Sequence, residues 1–375
     1  MSENLGAARR VRVARTDTGG RMKRIVQGGA ATAVAVSALA VAHVLRRMGS
    51  RVLWPARADE YRDEDFGLLG RDRAAVVHAT DGVPLAVREH GPADAAVTVV
   101  FVHGFCNDMT SYHFQRRDLP GLWGDRARLV FYDQRGHGES GVPEAANCTV
   151  GQLAADLAAV IEARAPRGPV VLVGHSLGGM AVLATAAAYQ GLFRQRVAGV
   201  ALICTTAAGT TAGGIGQLLP NPALDGFRLA VRLAPALVQA GRTTARHVIT
   251  PLLHVSSFHG QVSPTLSRFT TMMIDRTPVA TIVKFLQAIE VHDESAALPA
   301  LAGVPVLVIG GGYDRVIPFK NSELLAQEIP EAELVRLDGG AHMPHLQFPE
   351  AVNAALDRLF ARAMPVAGKR TASGG

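Results

Sequence analysis

The stretch VVLVGHSLGG, residues 170–179, runs from a short apolar segment into an alanine-rich one. The apolar segment is typical of a buried strand, and the alanine-rich segment is typical of a helix. Between them lies Gly-x-Ser-x-Gly, the pattern of a sharp strand-to-helix turn that exposes a serine hydroxyl. Gly174 and Gly178 lack a Cβ atom, so strand and helix can approach closely around Ser176. The stretch therefore predicts a nucleophile elbow, with an ordinary glycine-rich turn and a solvated serine as the alternative.

The composition limits the classes of protein to which the chain can belong. Its 375 residues are 48% hydrophobic and 19% charged, which suits one large core with an inserted subdomain. The net charge of +6 suggests an anionic partner, but many basic residues crowd before residue 25 and form no patch interleaved with aromatic residues. No nucleic-acid partner is therefore predicted. Three scattered cysteines, Cys106, Cys148 and Cys204, are too few for a disulfide framework or a zinc site.

Residues 25–45 form an apolar run without Asp, Glu, Lys or Arg, and a basic segment over residues 1–24 precedes it. A run of this length can cross a bilayer as a helix. Three interpretations remain open: a membrane anchor, a cleaved secretory signal, and an apolar helix packed on the body of the protein. The length of the basic segment favours the anchor. We therefore expect membrane association, with secretion as the alternative, and leave the side of the membrane open.

Strand and helix signals alternate along the rest of the chain, after a polar linker predicted over residues 46–70. This alternation predicts an α/β fold in which a mostly parallel, doubly wound sheet carries helices on both faces. The predicted strands are 74–79, 84–90, 98–102, 128–132, 170–173, 200–204, 304–309 and 333–337, and the predicted helices are 150–165, the segment from the elbow to 190, 321–329 and 349–364.

One region, residues 207–300, breaks the alternation because it shows only helical patterns. A region of this length is too long for a loop in a compact domain. It predicts a helical cap inserted over the carboxyl edge of the sheet, between a first core segment at 71–206 and a second at 301–364. Residues 365–375 are predicted to form a flexible tail.

A serine hydroxyl is a weak nucleophile at neutral pH, so Ser176 needs a base within hydrogen-bond reach. His342 is the first candidate, because it follows a predicted strand and a Gly-Gly turn and so belongs at the strand ends where the elbow points. His345 is the nearest rival. Other histidines lie in the elbow or in glycine-containing loops and are weaker candidates: His103, His137 and His175.

A histidine that becomes positively charged during the reaction needs a buried carboxylate beside it. Asp314 follows an apolar strand and a glycine turn, which places it at the same edge of the sheet. Asp293 and Glu139 are alternatives, and Asp314 can also be explained as an ordinary turn aspartate.

The developing oxyanion needs prearranged N–H donors. One candidate is the backbone N–H of Leu177, directly after the serine, and the other is that of Phe105, which follows His103-Gly104. Cys106 is an alternate donor.

These motifs together resemble the α/β-hydrolase family with a helical cap, in its serine-nucleophile branch, over about residues 74–364. They stand in that family's order, which is, along this chain, His103-Gly104-Phe105, Asp133–Ser140, the elbow, Gly312-Tyr313-Asp314 and Gly340-Ala341-His342. The resemblance implies a triad of Ser176, Asp314 and His342. The helix start Pro349-Glu350 matches the family's loop and favours His342 over His345.

The resemblance also implies an activity. A carboxylic ester hydrolase, esterase-like or lipase-like, that cleaves an ester of an apolar acyl group is expected. The stretch 133–140 is expected to be structural, with Arg135 paired to an acid. Because Ser176 stands where epoxide hydrolases and haloalkane dehalogenases carry an aspartate, those classes are excluded.

Cap residues that can line an apolar acyl pocket are Phe258, Met272, Met273 and Phe285. These side chains can equally hold the cap helices together. Two other functions remain open: cofactor-free perhydrolase or haloperoxidase-type chemistry on the same triad, and ligand binding without hydrolysis. No cofactor or metal is predicted, since the sequence has neither metal-ligand spacing nor a glycine-rich phosphate loop. The natural substrate and the oligomeric state are left open.

Overall fold

The computed structural model describes residues 59–208 and 257–364. Their centre is an eight-stranded sheet. The strands are β1 (Arg73–His78), β2 (Pro84–His90), β3 (Val97–Val102), β4 (Ala127–Tyr132), β5 (Val170–His175), β6 (Val197–Ile203), β7 (Val306–Gly311) and β8 (Glu333–Leu337). The described helices are α1 (His113–Trp123), α2 (Val150–Arg164), α3 (Leu177–Ala188), α4 (Gln190–Arg196), α5 (Pro264–Arg276), α6 (Val279–Glu290), α7 (Phe319–Glu328), α8 (Pro344–Gln347) and α9 (Pro349–Ala363).

The strand order in the sheet is β1-β2-β4-β3-β5-β6-β7-β8. Strand β2 pairs antiparallel with both of its neighbours, and every other pairing in the sheet is parallel. The chain leaves β3 for β4 on one side and returns to β5 on the other, which opens a crevice at the carboxyl ends of β3 and β5. The loops after these two strands carry His103 and Ser176. The predicted mostly parallel, doubly wound sheet is confirmed.

Successive strand residues face opposite sides of the sheet and enter two different cores. On β5, Val170 and Leu172 pack with α2 and α3, whereas Val171 and Val173 pack with α9. All six residues of β3 are buried, as are all six of β5. Strands covered on both faces read as continuous apolar runs, which is why the sequence predicts them at close to their observed bounds.

The turn between β5 and α3 is packed too tightly for side chains larger than a hydrogen at two positions. A Cβ on Gly178 would lie 2.1 Å from the carbonyl oxygen of Val102, and one on Gly174 would lie 2.7 Å from Gly179. Ser176 has φ of 51°, a left-handed conformation that is unfavourable for a residue with a Cβ. Its N–H donates to Ile203 O at 2.9 Å, so strand β6 helps hold this backbone conformation.

Two local details differ from the sequence-based predictions. The helix after the elbow ends at Ala188, because Tyr189 leaves the helical conformation (φ −116°, ψ 48°), and a separate short helix α4 follows. Helix α1 was not predicted, since its polar residues and internal Pro120 obscure the helical pattern.

The segment predicted as a polar linker over 46–70 packs against the body over its described part. Asp59 accepts hydrogen bonds from Ser263 and Thr265 at the start of α5. Phe66 stacks on Phe269 with ring centroids 4.2 Å apart. The alternation of acidic and aromatic residues in this segment supplies these contacts.

The helical character predicted for residues 207–300 is present in α5, α6 and a 3-10 segment at Ser295–Leu301. Residues 209–256 of that region lie outside the described residues, as do the apolar run 25–45 and the tail from 365. Among the helices that are described, none has the length and apolarity to span a membrane. Membrane association therefore stays a prediction from the sequence.

We expect Gly178→Ala to lower the free energy of unfolding by about 3 kcal/mol, because the new methyl group meets backbone atoms that cannot move aside. The control is Gly151→Ala in α2, where a Cβ meets nothing within 4 Å. Urea unfolding followed by circular dichroism measures both. Equal stability of the two variants would contradict the close packing at the elbow.

Candidate active site

Three loops at the carboxyl edge of the sheet bring Ser176, His342 and Asp314 together. Ser176 follows β5, Asp314 follows β7, and His342 follows β8. The Ser176 hydroxyl donates to His342 Nε2 at 3.0 Å, and His342 Nδ1–H donates to Asp314 Oδ2 at 2.8 Å. A hydroxyl, an imidazole and a carboxylate thus form one continuous chain of hydrogen bonds, which is the geometry that activation of a serine requires.

The Asp314 carboxylate is held from both sides. Its Oδ1 accepts the backbone N–H groups of Val316 and Ile317 at 2.8 and 2.9 Å, and its Oδ2 accepts from His342. The side chain is fully buried. Both oxygens have hydrogen-bond donors, so the carboxylate can fix the orientation of the His342 ring.

The other acids and the nearest rival histidine lie differently. Asp293 is exposed and accepts the backbone N–H of Ser295, and Glu139 is exposed and forms an ion pair with Arg88. His345 is fully buried, with its ring 4.5 Å from the ring of His175 and 5.1 Å from that of Tyr112. Neither ring nitrogen of His345 has a hydrogen-bond partner among the described residues.

The two backbone groups proposed as oxyanion donors, the N–H groups of Phe105 and Leu177, donate to no residue in the described part of the chain. Leu177 is the first residue of α3, where helical N–H groups lack partners and the helix dipole favours negative charge. His103 Nδ1–H donates to Gly104 O at 2.8 Å and so orients the peptide that carries the Phe105 N–H. The Cys106 N–H, the alternate donor, is taken by His137 Nε2 at 3.3 Å.

Sequence reasoning missed several contacts that support these loops. His175 Nε2–H donates to the backbone carbonyl of His342 at 2.7 Å and fixes the position of the loop that carries His342. The Thr205 hydroxyl donates to the carbonyl of Ser176 at 2.8 Å. Position 104 needs a glycine, since a Cβ there would lie 2.5 Å from His175 Nδ1. The only sequence signal for this contact of Thr205 was its position directly after the predicted strand 200–204.

Arg135 pairs with acids, as the sequence predicts for the structural stretch 133–140. Its guanidinium donates to both oxygens of Asp156 at 2.6 Å and to Asp81 at 2.7 Å. The buried Asp133 accepts the backbone N–H groups of Met109 and Glu139, each at 2.7 Å. These bonds fasten the loop after β4 to its surroundings.

Four buried histidines surround the triad in their neutral forms. Burial lowers the pKa of His103 to about 4 and the pKa values of His137 and His345 to about 3. Burial also lowers the pKa of His175 well below its usual value. A neutral ring donates from one nitrogen and accepts at the other, and His103 and His137 each use both nitrogens to join two backbone groups. His175 is bonded through Nε2 alone.

The four side chains suggested for an acyl pocket do not gather around one space. Phe285 is fully buried in the main core, with its ring 5.5 Å from that of His137. Met273 is buried and Phe258 half-buried in the cluster around Met343, whereas Met272 is half exposed. Consecutive residues of a helix point in different directions, which separates the two methionines. These contacts match the alternative in which such side chains hold the helices together.

One set of possible metal ligands occurs in the described residues: Cys204, Asp314 and His342, whose ligand atoms lie within 4.8 Å of one another. Cys204 is buried, with its thiol directed to Ala341 O at 3.6 Å. In this set His342 bridges Asp314 and Ser176 with both ring nitrogens. With both nitrogens of His342 engaged in this way, these side chains are arranged for proton transfer between Ser176 and His342.

Comparisons with known proteins find related sequences and structures. A family model described as the alpha/beta hydrolase fold matches residues 97–349, more than half of the chain. A pimeloyl-[acyl-carrier protein] methyl ester esterase of Neisseria meningitidis is 28% identical over 275 residues, which cover 71% of this chain and 94% of that protein.

One further related sequence and one related structure show similar levels of identity. The dihydrolipoyllysine-residue acetyltransferase component of the acetoin cleaving system of Pseudomonas putida is 28% identical over 266 residues, 69% of this chain but only 62% of that protein. A thermophilic esterase from Thermogutta terrifontis has a TM-score of 0.60 and 25% identity, and the similarity covers 78% of this chain and 100% of the esterase.

The geometry makes a clear distinction between the two rival histidines. We expect His342→Phe to lower kcat for an ester by about 10⁴-fold, since it removes the base, whereas His345→Phe should change kcat less than about tenfold. Steady-state kinetics with p-nitrophenyl butyrate measures both, and circular dichroism checks their folding. A greater loss in the His345 variant would reverse the assignment.

The buried neutral histidines predict acid sensitivity of the fold. Their folded pKa values lie below the usual value near 6.5, so their contribution to stability is complete above that pH and is lost as the pH falls towards 4. Each proton taken up on unfolding lowers the free energy of unfolding by about 1.4 kcal/mol for every pH unit below about 6.5. We expect more than one such proton. Urea unfolding at pH 7, 6, 5 and 4 measures this dependence. An unfolding free energy that is constant over this range would contradict it.

Proposed function

This chain belongs to the α/β-hydrolase family and is an esterase-like enzyme, and from that premise we propose that it cleaves a carboxylic ester of an apolar acyl group through an acyl-enzyme on Ser176. The observation that carries the proposal is the hydrogen-bonded chain from Asp314 through His342 to Ser176. Serine esterases need this order of groups, because the base must accept a proton at one nitrogen while the carboxylate stabilises the other.

In the first half of the reaction, Ser176 Oγ attacks the ester carbonyl carbon while His342 Nε2 takes the hydroxyl proton. The carbonyl electron pair moves to oxygen, and the backbone N–H groups of Phe105 and Leu177 donate hydrogen bonds to the resulting oxyanion. The bond to the leaving alcohol then breaks, and the alcohol takes the proton from His342. Asp314 stabilises the transient imidazolium and stays ionised throughout.

In the second half, water replaces the alcohol. His342 takes a proton from the water as the water oxygen attacks the acyl carbon. The tetrahedral species collapses, Ser176 Oγ recovers the proton from His342, and the carboxylic acid leaves. The same donors serve both halves, since both pass through an oxyanion at one position.

The preference for an apolar acyl group is supported by two apolar clusters beside the triad loops. Met343, next to the base, packs with residues of α1, α5 and α8. Cys106 packs with Ile274 and Ile282, and Phe105 lies against the same cluster. Both clusters thus adjoin residues next to the proposed base and the proposed donor loop, and apolar side chains there favour burial of methylene groups.

A chain-length series of p-nitrophenyl esters tests the proposal. We expect kcat/KM to rise about fourfold per added methylene until the binding space is filled, because burying one methylene contributes about 0.8 kcal/mol. Ser176→Ala should lower kcat by about 10⁴-fold or more while it melts at the wild-type temperature.

A fluorophosphonate probe adds an independent readout for the nucleophile. It should label wild-type protein once, on Ser176, and should not label Ser176→Ala. Turnover by the alanine variant at the wild-type rate, or labelling at another residue, would rule out the acyl-enzyme. Rates that are independent of acyl length would rule out only the apolar preference.

A further inference from the structure

The loop after β3 contains a backbone conformation that its sequence does not favour. Asn107 N–H donates to Gly104 O at 3.3 Å, which closes a four-residue turn. Cys106, the third residue of that turn, has φ of 58°. Turns with positive φ at the third residue are usually built with glycine there, because any Cβ adds strain. The turn therefore needs an outside contact to hold Cys106 in this conformation.

His137 supplies such a contact from the loop after β4. The Cys106 N–H donates to His137 Nε2 at 3.3 Å. On the other side of the ring, His137 Nδ1 lies 3.0 Å from the carbonyl oxygen of Arg135. A carbonyl only accepts, so Nδ1 carries the hydrogen and the lone pair of Nε2 is free to accept.

The support behind His137 is rigid. The carbonyl that accepts from its ring belongs to Arg135, whose guanidinium is bound to two acidic side chains. The ring is fully buried, with the ring of Phe285 at 5.5 Å and that of His103 at 5.4 Å. Without an acceptor at Nε2, the buried N–H of Cys106 would lose its partner and the turn would gain from returning to negative φ.

We propose that His137 is a positioning residue for the oxyanion site: it holds the strained turn at Cys106 and thereby keeps the neighbouring Phe105 N–H in place for the developing charge. The role rests on the proposed function of Ser176. His137 is bonded to neither Ser176 nor His342 in the described hydrogen-bond network, so its effect reaches the reaction through the loop after β3. A small displacement of one donor is enough to slow the chemical step.

Three substitutions and one double variant test the role of the turn. His137→Phe keeps a buried ring but removes the acceptor, and we expect kcat to fall about 10- to 100-fold while KM changes less than about threefold. Cys106→Gly removes the strain at the third turn residue, so we expect it to restore about tenfold of the lost kcat in the His137→Phe background. His137→Gln, which retains an acceptor on a flexible chain, should fall between wild type and His137→Phe.

The matched control is His113→Phe, which removes a buried histidine bonded to Glu64 at 2.7 Å in another part of the protein. It should leave kcat within about threefold of wild type.

A second readout compares an oxo ester with its thiono analogue, whose sulfur accepts hydrogen bonds poorly. Wild type should prefer the oxo ester, and His137→Phe should lose much of that preference, whereas a merely structural defect would slow both substrates equally.

The outcomes separate this inference from the proposed function. An inactive wild type, or one whose activity survives Ser176→Ala, overturns the proposed function and with it the inference. An active wild type in which His137→Phe keeps its kcat and its preference for the oxo ester, or in which Cys106→Gly restores nothing, overturns only the role of His137.

A measurement on the wild-type protein covers the case in which His137→Phe does not fold. The ¹⁵N chemical shifts of His137 should show a protonated Nδ1 and an unprotonated, hydrogen-bonded Nε2. The opposite tautomer would overturn the proposal, because Nε2 could not then accept from Cys106.

Discussion

The backbone turn at Ser176 is the constraint on which the rest of the structure depends. Its φ of 51° is held because the N–H bonds to β6 and the carbonyl accepts from Thr205 and from the first turn of α3. The turn can form only because Gly178 lets α3 approach the end of β3. Strain at this position directs the hydroxyl away from its own backbone and towards the loops of neighbouring strands.

Parallel strand direction then decides which loops can meet at that hydroxyl. The ends of β3, β5, β7 and β8 lie along one edge of the sheet, so the loops that carry His103, Ser176, Asp314 and His342 converge from distant parts of the chain. Each loop is fastened separately: Asp314 by two backbone N–H groups, the His342 loop by His175, and the donor loop by His103 and His137. In the proposed reaction these groups therefore need little rearrangement when the ester binds.

The buried histidines show how this rigidity is obtained and what it costs. A neutral imidazole joins two backbone groups at a fixed separation, which a carboxylate or an ammonium group could not do in the same space without burying a charge. The cost is a fold that loses stability in acid, since every such ring binds a proton more readily when the chain unfolds. The site thus gains order from residues that take no direct part in proton transfer.

The sequence by itself determined where the strands lie along the chain, that the sheet is mostly parallel, and the elbow, because apolar runs and glycine spacing report local and steric requirements. It also narrowed the base and the acid to a few candidates, since strand ends can be read from the same runs. The sequence already favoured His342 over His345, and the tertiary structure alone decided that the His342 ring meets Ser176 while the His345 ring lies buried beside His175. It also decided that Met273 and Phe285 pack inside while Met272 faces solvent, and that His137 accepts the Cys106 N–H. Ring orientation, burial and hydrogen-bond partners arise from contacts between residues far apart in the chain, and no local pattern encodes them.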